Sequence, residues 1–143
     1  MLIGIDPILS PDLLWTLRAM GHGEEIAIVD GNFPGEGYGA RCLRADGHSA
    51  TDVLRAVLSL MPLDDFVDDP VAVMQVVGAP DEVPPVIQDF QAIVNAVADH
   101  PAEAVRMERF AFYDRAKAAH AVVQTGEARL YGNIILKKGV VRP

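Results

Sequence analysis

The sequence predicts a three-layer α/β/α domain with a mostly parallel or mixed central sheet. Segments with helical periodicity alternate along the chain with short apolar segments, and this alternation is typical of a layered α/β domain. The chain has 143 residues, a length that fits one domain, so residues 1–143 are assigned to a single domain.

The first helix is predicted from its end signals and its apolar spacing. Ser10 is a favourable N-cap residue, Pro11 suits the first helical position, and Gly21 is the expected C-terminal cap. The apolar residues that recur at helical spacing between them are Leu13, Leu14, Leu17 and Met20.

Three further helices follow. Ser49 opens a capping box with Asp52, and this helix is expected to run through Met61, because Pro62 then stops it. A helix with an apolar stripe begins at Pro84-Pro85. The segment 113–121 is helical by composition.

Short apolar segments between these helices predict five strands. They are Glu25–Asp30, Ala40–Arg44, Val71–Val77, a strand that begins at Val122-Val123, and Ile134–Leu136. The glycine-rich segment Gly31–Gly39 is expected to be a loop. The assignment of Arg106–Phe110 is ambiguous.

Composition restricts the possible partners. The net charge of −8, with no basic cluster to offset it, disfavours nucleic acid. Half of the residues are hydrophobic and the mean hydropathy is +0.20, but every apolar stretch is too short to span a membrane. We therefore expect a homo-oligomer with apolar subunit interfaces. The first residues do not resemble a signal peptide, so a cytoplasmic protein is expected.

Histidine and cysteine positions limit the chemistry. Cys42 is the single cysteine, so it forms neither an intrachain disulfide nor a thiolate metal cluster. None of the four histidines has metal-ligand spacing with another histidine, and no metal is expected. His22 lies between two glycines just before a strand, and Asp30 lies at the carboxyl end of that strand, where ligands gather in α/β sheets. A proton-transfer role for His22 and a helix-capping role both remain open.

Two blocks near the carboxyl end carry polar and aromatic groups. MERFAFYDRAKA (107–118) is dense in both, and it also fits an amphipathic helix with solvated charges. In the second block, 130–143, Tyr131 and Asn133 flank Gly132 before a strand. A tyrosine hydroxyl and an asparagine amide suit the hydroxyl groups of a sugar, and a tyrosine ring suits the apolar side of a pyranose.

Six segments in a fixed order make the chain similar to one family. These segments are IDPILSPDLL, MGHGEEIAIVD, RADG, RFAFYDRA, TGE and YGNIILKKGV, and only Pro62–His100 is poorly matched. The chain resembles the family of L-fucose mutarotases and D-ribose pyranases. YGN with the following KKGV resembles the fucose branch, since the pyranase branch more typically has alanine at the position of Gly132.

The resemblance implies a cofactor-free isomerase that interconverts the anomers of a free monosaccharide, and L-fucose is the substrate that it favours. It implies that His22 is the catalytic acid/base and that the sugar is bound by Asp30, Arg109, Tyr131, Gly132 and Asn133. It also implies a ring-shaped oligomer, a decamer, with active sites where subunits meet. A sugar-binding or regulatory oligomer without turnover, and a ribose pyranase, are the alternatives.

Overall fold

The computed structural model describes residues 1–38 and 40–143; Gly39, at the end of the predicted loop, lies outside them. Within the described residues the helices are α1 (Pro11–Ala19), α2 (Ala50–Leu58), α3 (Pro85–Val97) and α4 (Arg109–Ala118). The strands are β1 (Glu25–Val29), β2 (Arg41–Ala45), β3 (Val71–Met74), β4 (Val105–Met107), β5 (Ala121–Thr125) and β6 (Ile134–Lys137). In this part of the chain, no helix has the length and apolar character that a bilayer crossing requires.

The six strands form one mixed sheet in the order β2-β5-β1-β6-β3-β4. Strand β6 is antiparallel to both of its neighbours, β1 and β3, while the other neighbouring strands pair in parallel. Ile28 of β1 is therefore in register with Val123 of β5 on one side and with Ile134 of β6 on the other. Because β6 runs in the opposite direction, its first residues lie at the same edge of the sheet as the last residues of β1.

Alternating side chains of the central strands build a separate hydrophobic core on each face of the sheet. Ile26 and Ile28 of β1 belong to a core with α1, α2 and α3, in which Phe90 is fully buried. Ala27 and Val29 belong to a second core with α4, centred on Phe112. Helices therefore cover both faces, and the predicted three-layer domain with a mixed sheet is confirmed.

The predicted starts of α1 and α2 are confirmed at the level of single hydrogen bonds. The Ser10 hydroxyl accepts the Leu13 N–H at 3.2 Å. The Ser49 hydroxyl accepts the Asp52 N–H at 3.2 Å and donates to the Asp52 carboxylate at 2.7 Å. These side chains satisfy backbone donors that a helix N-terminus leaves without partners.

Other boundaries differ from the prediction. Helix α1 ends at Ala19 with Met20 as its cap, and Lys138 Nζ donates to the carbonyl oxygens of Leu17 at 2.7 Å and Met20 at 2.5 Å. A cation from a distant segment therefore stabilises this terminus, where the prediction placed a glycine cap. Helix α2 ends at Leu58, three residues before the predicted Met61.

The segment without a clear pattern contains the end of β4 and the start of α4. The Glu108 carboxylate accepts the N–H groups of Phe110 at 2.8 Å and Ala111 at 3.2 Å and so caps α4. The helix consequently begins at Arg109, four residues earlier than predicted. Glutamate is not among the preferred N-cap residues, and this explains why the pattern was ambiguous.

Candidate functional site

A cleft of about 200 Å³ opens at the edge of the sheet where β1 ends and β6 begins. Four of the residues predicted to bind a ligand line it: Asp30, Arg109, Tyr131 and Asn133. They come from the end of β1, the first turn of α4 and the segment before β6. The reversed direction of β6 brings these distant parts of the chain to one place, at the carboxyl ends of the parallel strands, where α/β folds commonly bind ligands.

Asp30 and Asn133 form a reciprocal pair at the floor of the cleft. The Asp30 N–H donates to Asn133 Oδ1 at 2.9 Å, and Asn133 Nδ2 donates to Asp30 Oδ2 at 3.0 Å. Both residues are buried. Burial raises the pKa of Asp30, and N–H groups of Asn32 and Asn133 partly oppose that shift. The pair holds a carboxylate in a fixed orientation, ready to accept hydrogen bonds from a polyhydroxylated ligand.

Tyr131 adopts a backbone conformation that residues other than glycine rarely take. Its φ is +65°, in the left-handed region, and its hydroxyl accepts the Val77 N–H at 3.1 Å. The Asn133 N–H donates to the Tyr131 carbonyl oxygen at 2.8 Å. Strained backbone of this kind is found where the surrounding contacts hold a functional side chain in place.

Gly132 serves the site through its lack of a side chain. A Cβ at this position would lie 2.7 Å from Glu127 Cγ and 3.2 Å from the Arg129 carbonyl oxygen. The close approach lets the loop before β6 pack on the buried Glu127 carboxylate. Gly132 is therefore needed for the shape of the loop that presents its two neighbours.

Arg109 supplies a donor that no described residue uses. Its Nε is buried and lacks a hydrogen-bond partner among residues 1–38 and 40–143. The guanidinium carbon lies 4.6 Å from the centre of the Phe110 ring. A buried donor without a partner is costly, so this nitrogen is suited to a ligand oxygen in the cleft.

Aromatic and apolar side chains complete the walls. Phe33 and Tyr113 lie edge to face, with ring centres 5.4 Å apart, and both line the cleft. Met74 and Leu130 add further apolar surface. These residues are not predictable from the sequence, because their types are equally common in a core, and only the position of the cleft assigns them to it.

His22 lies at the opposite edge of the sheet and does not line this cleft. The five residues of β1 separate it from Asp30, which is roughly 16 Å of extended strand. Its Nε2 is 3.1 Å from Oδ1 of the buried Asp64, and its ring centre is 5.2 Å from that of Phe66. Within one chain, the structure brings together the predicted sugar-binding residues and leaves the predicted catalytic histidine apart from them.

The loop that carries His22 is nonetheless well defined. Gly23 has a φ of +84°, which a residue with a side chain rarely adopts, and its N–H donates to the Lys138 carbonyl oxygen at 2.8 Å. The Gly21 N–H donates to the Glu24 carboxylate at 2.6 Å, and this bond lowers the pKa of Glu24. The GHG motif thus builds a tight turn that leaves the His22 side chain 44% exposed.

Comparison with known proteins assigns the family. The model of the RbsD / FucU transport protein family matches residues 3–141. The chain belongs to this family. Within it, the L-fucose mutarotase of Actinobacillus pleuropneumoniae serotype 5b (strain L20) is 44% identical over 140 residues, which are 98% of this chain and 97% of that protein.

Two solved structures of RbsD / FucU proteins are informative. The fucose mutarotase from Streptococcus pneumoniae, crystallised in complex with L-fucose, has a TM-score of 0.92 and 40% identity and covers 99% of this chain and 100% of its own. Bacillus subtilis RbsD, complexed with D-ribose, has a TM-score of 0.75 and 21% identity over 99% of this chain and 100% of its own. The second likeness shows the fold alone. The resemblance seen in the sequence motifs is confirmed.

Proposed function

We propose that this chain is an isomerase that interconverts the α and β anomers of free L-fucose by opening and reclosing the sugar ring. Relatives named L-fucose mutarotase at 44% identity, and a neighbour solved with L-fucose, support this substrate. One observation in this chain carries the assignment: the buried Asp30–Asn133 pair and the unpartnered Arg109 Nε converge on one cleft. An acceptor and a donor placed in this way suit the hydroxyl groups of a monosaccharide.

The reaction requires proton transfer and no other chemistry. A hemiacetal opens when its ring oxygen gains a proton and its anomeric hydroxyl loses one, and the aldehyde then rotates and recloses on its other face. Protons balance over the cycle, so the mechanism needs no cofactor. A histidine is suited to this work because it gives and takes protons near neutral pH, and such catalysis contributes roughly a hundred- to ten-thousand-fold. His22 is assigned this role.

A second copy of the chain must supply His22 to the cleft. Within one chain β1 separates His22 from Asp30, so the two cannot contact the same monosaccharide. Large apolar side chains are exposed at both places: Val77, Phe110 and Leu130 near the cleft, and Phe66 beside His22. Contact between these two surfaces would bury them and complete a site between neighbouring subunits. Such a head-to-tail contact forms a ring when the rotation between neighbours closes, and the decamer implied by the resemblance stays a prediction.

The first experiment measures anomer exchange of L-fucose at equilibrium by NMR. His22→Ala is expected to reduce the enzymatic exchange rate by about a hundredfold or more, because the proton carrier is lost. His48→Ala is the matched control: it removes an exposed histidine outside the cleft and is expected to retain wild-type exchange. Wild-type exchange by an intact His22→Ala oligomer would contradict the assignment.

A mixing experiment tests the shared site. His22→Ala and Asp30→Asn are each expected to be inactive, but their co-expression produces mixed rings. In about a quarter of the sites of an equal mixture, one neighbour provides an intact His22 and the other an intact Asp30. An exchange rate of about a quarter of the wild-type rate would support a site shared between subunits. No recovery of exchange would mean that His22 and Asp30 act within the same subunit.

The two alternative functions give different results in the same assay. A sugar-binding or regulatory oligomer would bind L-fucose without accelerating exchange above that in buffer. A ribose pyranase would accelerate exchange of D-ribose more than that of L-fucose under identical conditions. The cytoplasmic location expected from the sequence stays a prediction.

A further inference from the structure

His22 has an ionisable partner that the proposed mechanism does not yet use. Asp64 Oδ1 lies 3.1 Å from His22 Nε2. The Asp64 side chain is 2% exposed, whereas the His22 side chain is 44% exposed. A buried carboxylate therefore contacts one nitrogen of an imidazole whose remainder faces solvent, and that asymmetry separates this contact from an ordinary surface ion pair.

Asp64 is held by the backbone around it. Its N–H donates to the Lys137 carbonyl oxygen at 3.1 Å, and its Oδ1 also accepts the Phe66 N–H at 3.0 Å. The preceding residue, Leu63, is fully buried and bridges to Lys138 beyond the end of β6. Lys138 in turn accepts the Gly23 N–H, so the carboxylate and the histidine loop are both attached to the same strand end.

We infer that Asp64 is a positioning residue that sets the orientation and the tautomer of the His22 imidazole. This inference rests on the proposed proton-transfer role of His22. An ionised carboxylate can only accept a hydrogen bond, so the nitrogen that contacts it must be the one that carries the proton. In the neutral ring the proton is therefore on Nε2, and Nδ1 keeps the lone pair. Nδ1 is then the atom that exchanges a proton with the sugar. The buried carboxylate also stabilises the positive charge of the ring after it accepts that proton.

Neighbouring charged groups supply a matched control. Asp65 follows Asp64 directly, but its carboxylate pairs with Arg142 at 2.9 Å and lies 3.9 Å from His100. The Arg142 guanidinium lies 5.3 Å from the centre of the Phe66 ring. Asp64→Asn and Asp65→Asn therefore make the same chemical change at adjacent positions, and only the first alters the contact with His22.

The kinetic experiment measures L-fucose exchange over a range of sugar concentrations for both variants. Asp64→Asn is expected to lower kcat on the order of a hundredfold with KM within twofold of wild type, since Asp64 acts on the ring and does not touch the sugar. Asp65→Asn is expected to retain wild-type kcat. Wild-type kcat in Asp64→Asn would overturn the inference, and so would a rise in KM with kcat unchanged, which would make Asp64 a sugar ligand.

A spectroscopic experiment on the wild-type protein does not depend on how the variants fold. ¹⁵N NMR of the histidine rings, at a pH where His22 is neutral and with His22→Ala used for assignment, reports which nitrogen carries the proton. The inference requires protonated Nε2 and unprotonated Nδ1; a proton on Nδ1 would overturn it. In Asp64→Asn the tautomer populations are expected to shift, because an amide can donate to Nε2 as well as accept from it.

Failure of this inference is distinguishable from failure of the proposed function. If His22→Ala exchanges L-fucose at the wild-type rate, the proton-transfer role is wrong and Asp64 has no catalytic ring to position. If His22→Ala is inactive and Asp64→Asn is fully active, the proposed function holds and only the role of Asp64 is wrong.

Discussion

Arg129→Met removes the charged contacts that hold Glu127 beneath the candidate sugar-binding loop. Arg129 Nε and Nη2 each donate to a different oxygen of the Glu127 carboxylate at 2.9 Å, and Arg129 Nη1 donates to Asp89 at 2.7 Å. Glu127 is only 5% exposed, and Gly132 packs directly on its side chain. Methionine keeps much of the length of the side chain and loses the charge.

The expected cost follows from the different exposure of the two partners. Breaking a fully buried ion pair costs about 3–5 kcal/mol, because it leaves an uncompensated charge. The Arg129 side chain is 41% exposed, so water screens the pair and the expected cost falls to about 1–2 kcal/mol. Arg44→Met is the control, because Arg44 pairs with the exposed Asp46, and we expect no measurable change there.

The pH dependence gives a second, independent check. Arg129 lowers the pKa of Glu127 below its ordinary value of 4.5. A carboxyl group with a lowered pKa in the folded state contributes stability above its unfolded pKa, and that contribution is lost as the pH falls through the folded pKa. The difference in unfolding free energy between wild type and Arg129→Met should therefore be full at pH 7 and shrink below about pH 4.

Urea unfolding at a fixed protein concentration measures this difference, since the stability of the proposed oligomer would depend on concentration. A difference of the expected size at pH 7 that disappears at low pH would support the reasoning. A difference that stays constant from pH 7 to pH 3, or one that Arg44→Met reproduces, would refute it.

Two further predictions concern the loop before β6. Asn133→Leu leaves the Asp30 N–H and carboxylate without their partner, so it should destabilise the protein by about 2–4 kcal/mol and abolish L-fucose binding; calorimetric titration that finds wild-type affinity would contradict this. Gly132→Ala places a Cβ 2.7 Å from Glu127 Cγ, so the loop must shift and L-fucose affinity should fall about tenfold. Unchanged affinity in the same titration would show that the loop tolerates a methyl group.

Local signals made the helix starts predictable. Ser10 and Ser49 cap helices through contacts within three residues, and such contacts depend little on the rest of the fold. The end of α1 depends on a partner far away in the chain, and the end of β3 was also predicted at the wrong residue. Lys138 closes α1, and β3 ends at Met74, where the chain turns away and the predicted strand would have continued to Val77.

The separation of His22 from Asp30 could have been predicted from the strand between them. A strand of this length, once assigned, already places its two flanking residues at opposite edges of a sheet. The family resemblance implies sites between subunits, but the sequence does not indicate which residue reaches across. The structure of one chain places His22 outside the cleft that Asp30 lines, and its reach into a neighbouring cleft stays a proposal.

The sequence contains no recognisable signal that would predict a role for Asp64 beside His22. It lies in the segment that the family motifs match poorly, among the other carboxylates Asp65, Asp68 and Asp69. Only burial and the contact with His22 distinguish it from these neighbours, and neither property is local in sequence.

The sequence by itself determined the layered α/β class, the family and the residue types that suit a sugar, because these depend on periodicity and on motifs spread along the chain. The tertiary structure decided the direction of β6 and therefore which residues share an edge of the sheet. The backbone of a strand can form hydrogen bonds with any other apolar strand, so local sequence does not determine which strands pair. The pairing is determined by how the whole chain packs. That choice placed Asn133 against Asp30, and it placed His22 with Asp64 at the other edge.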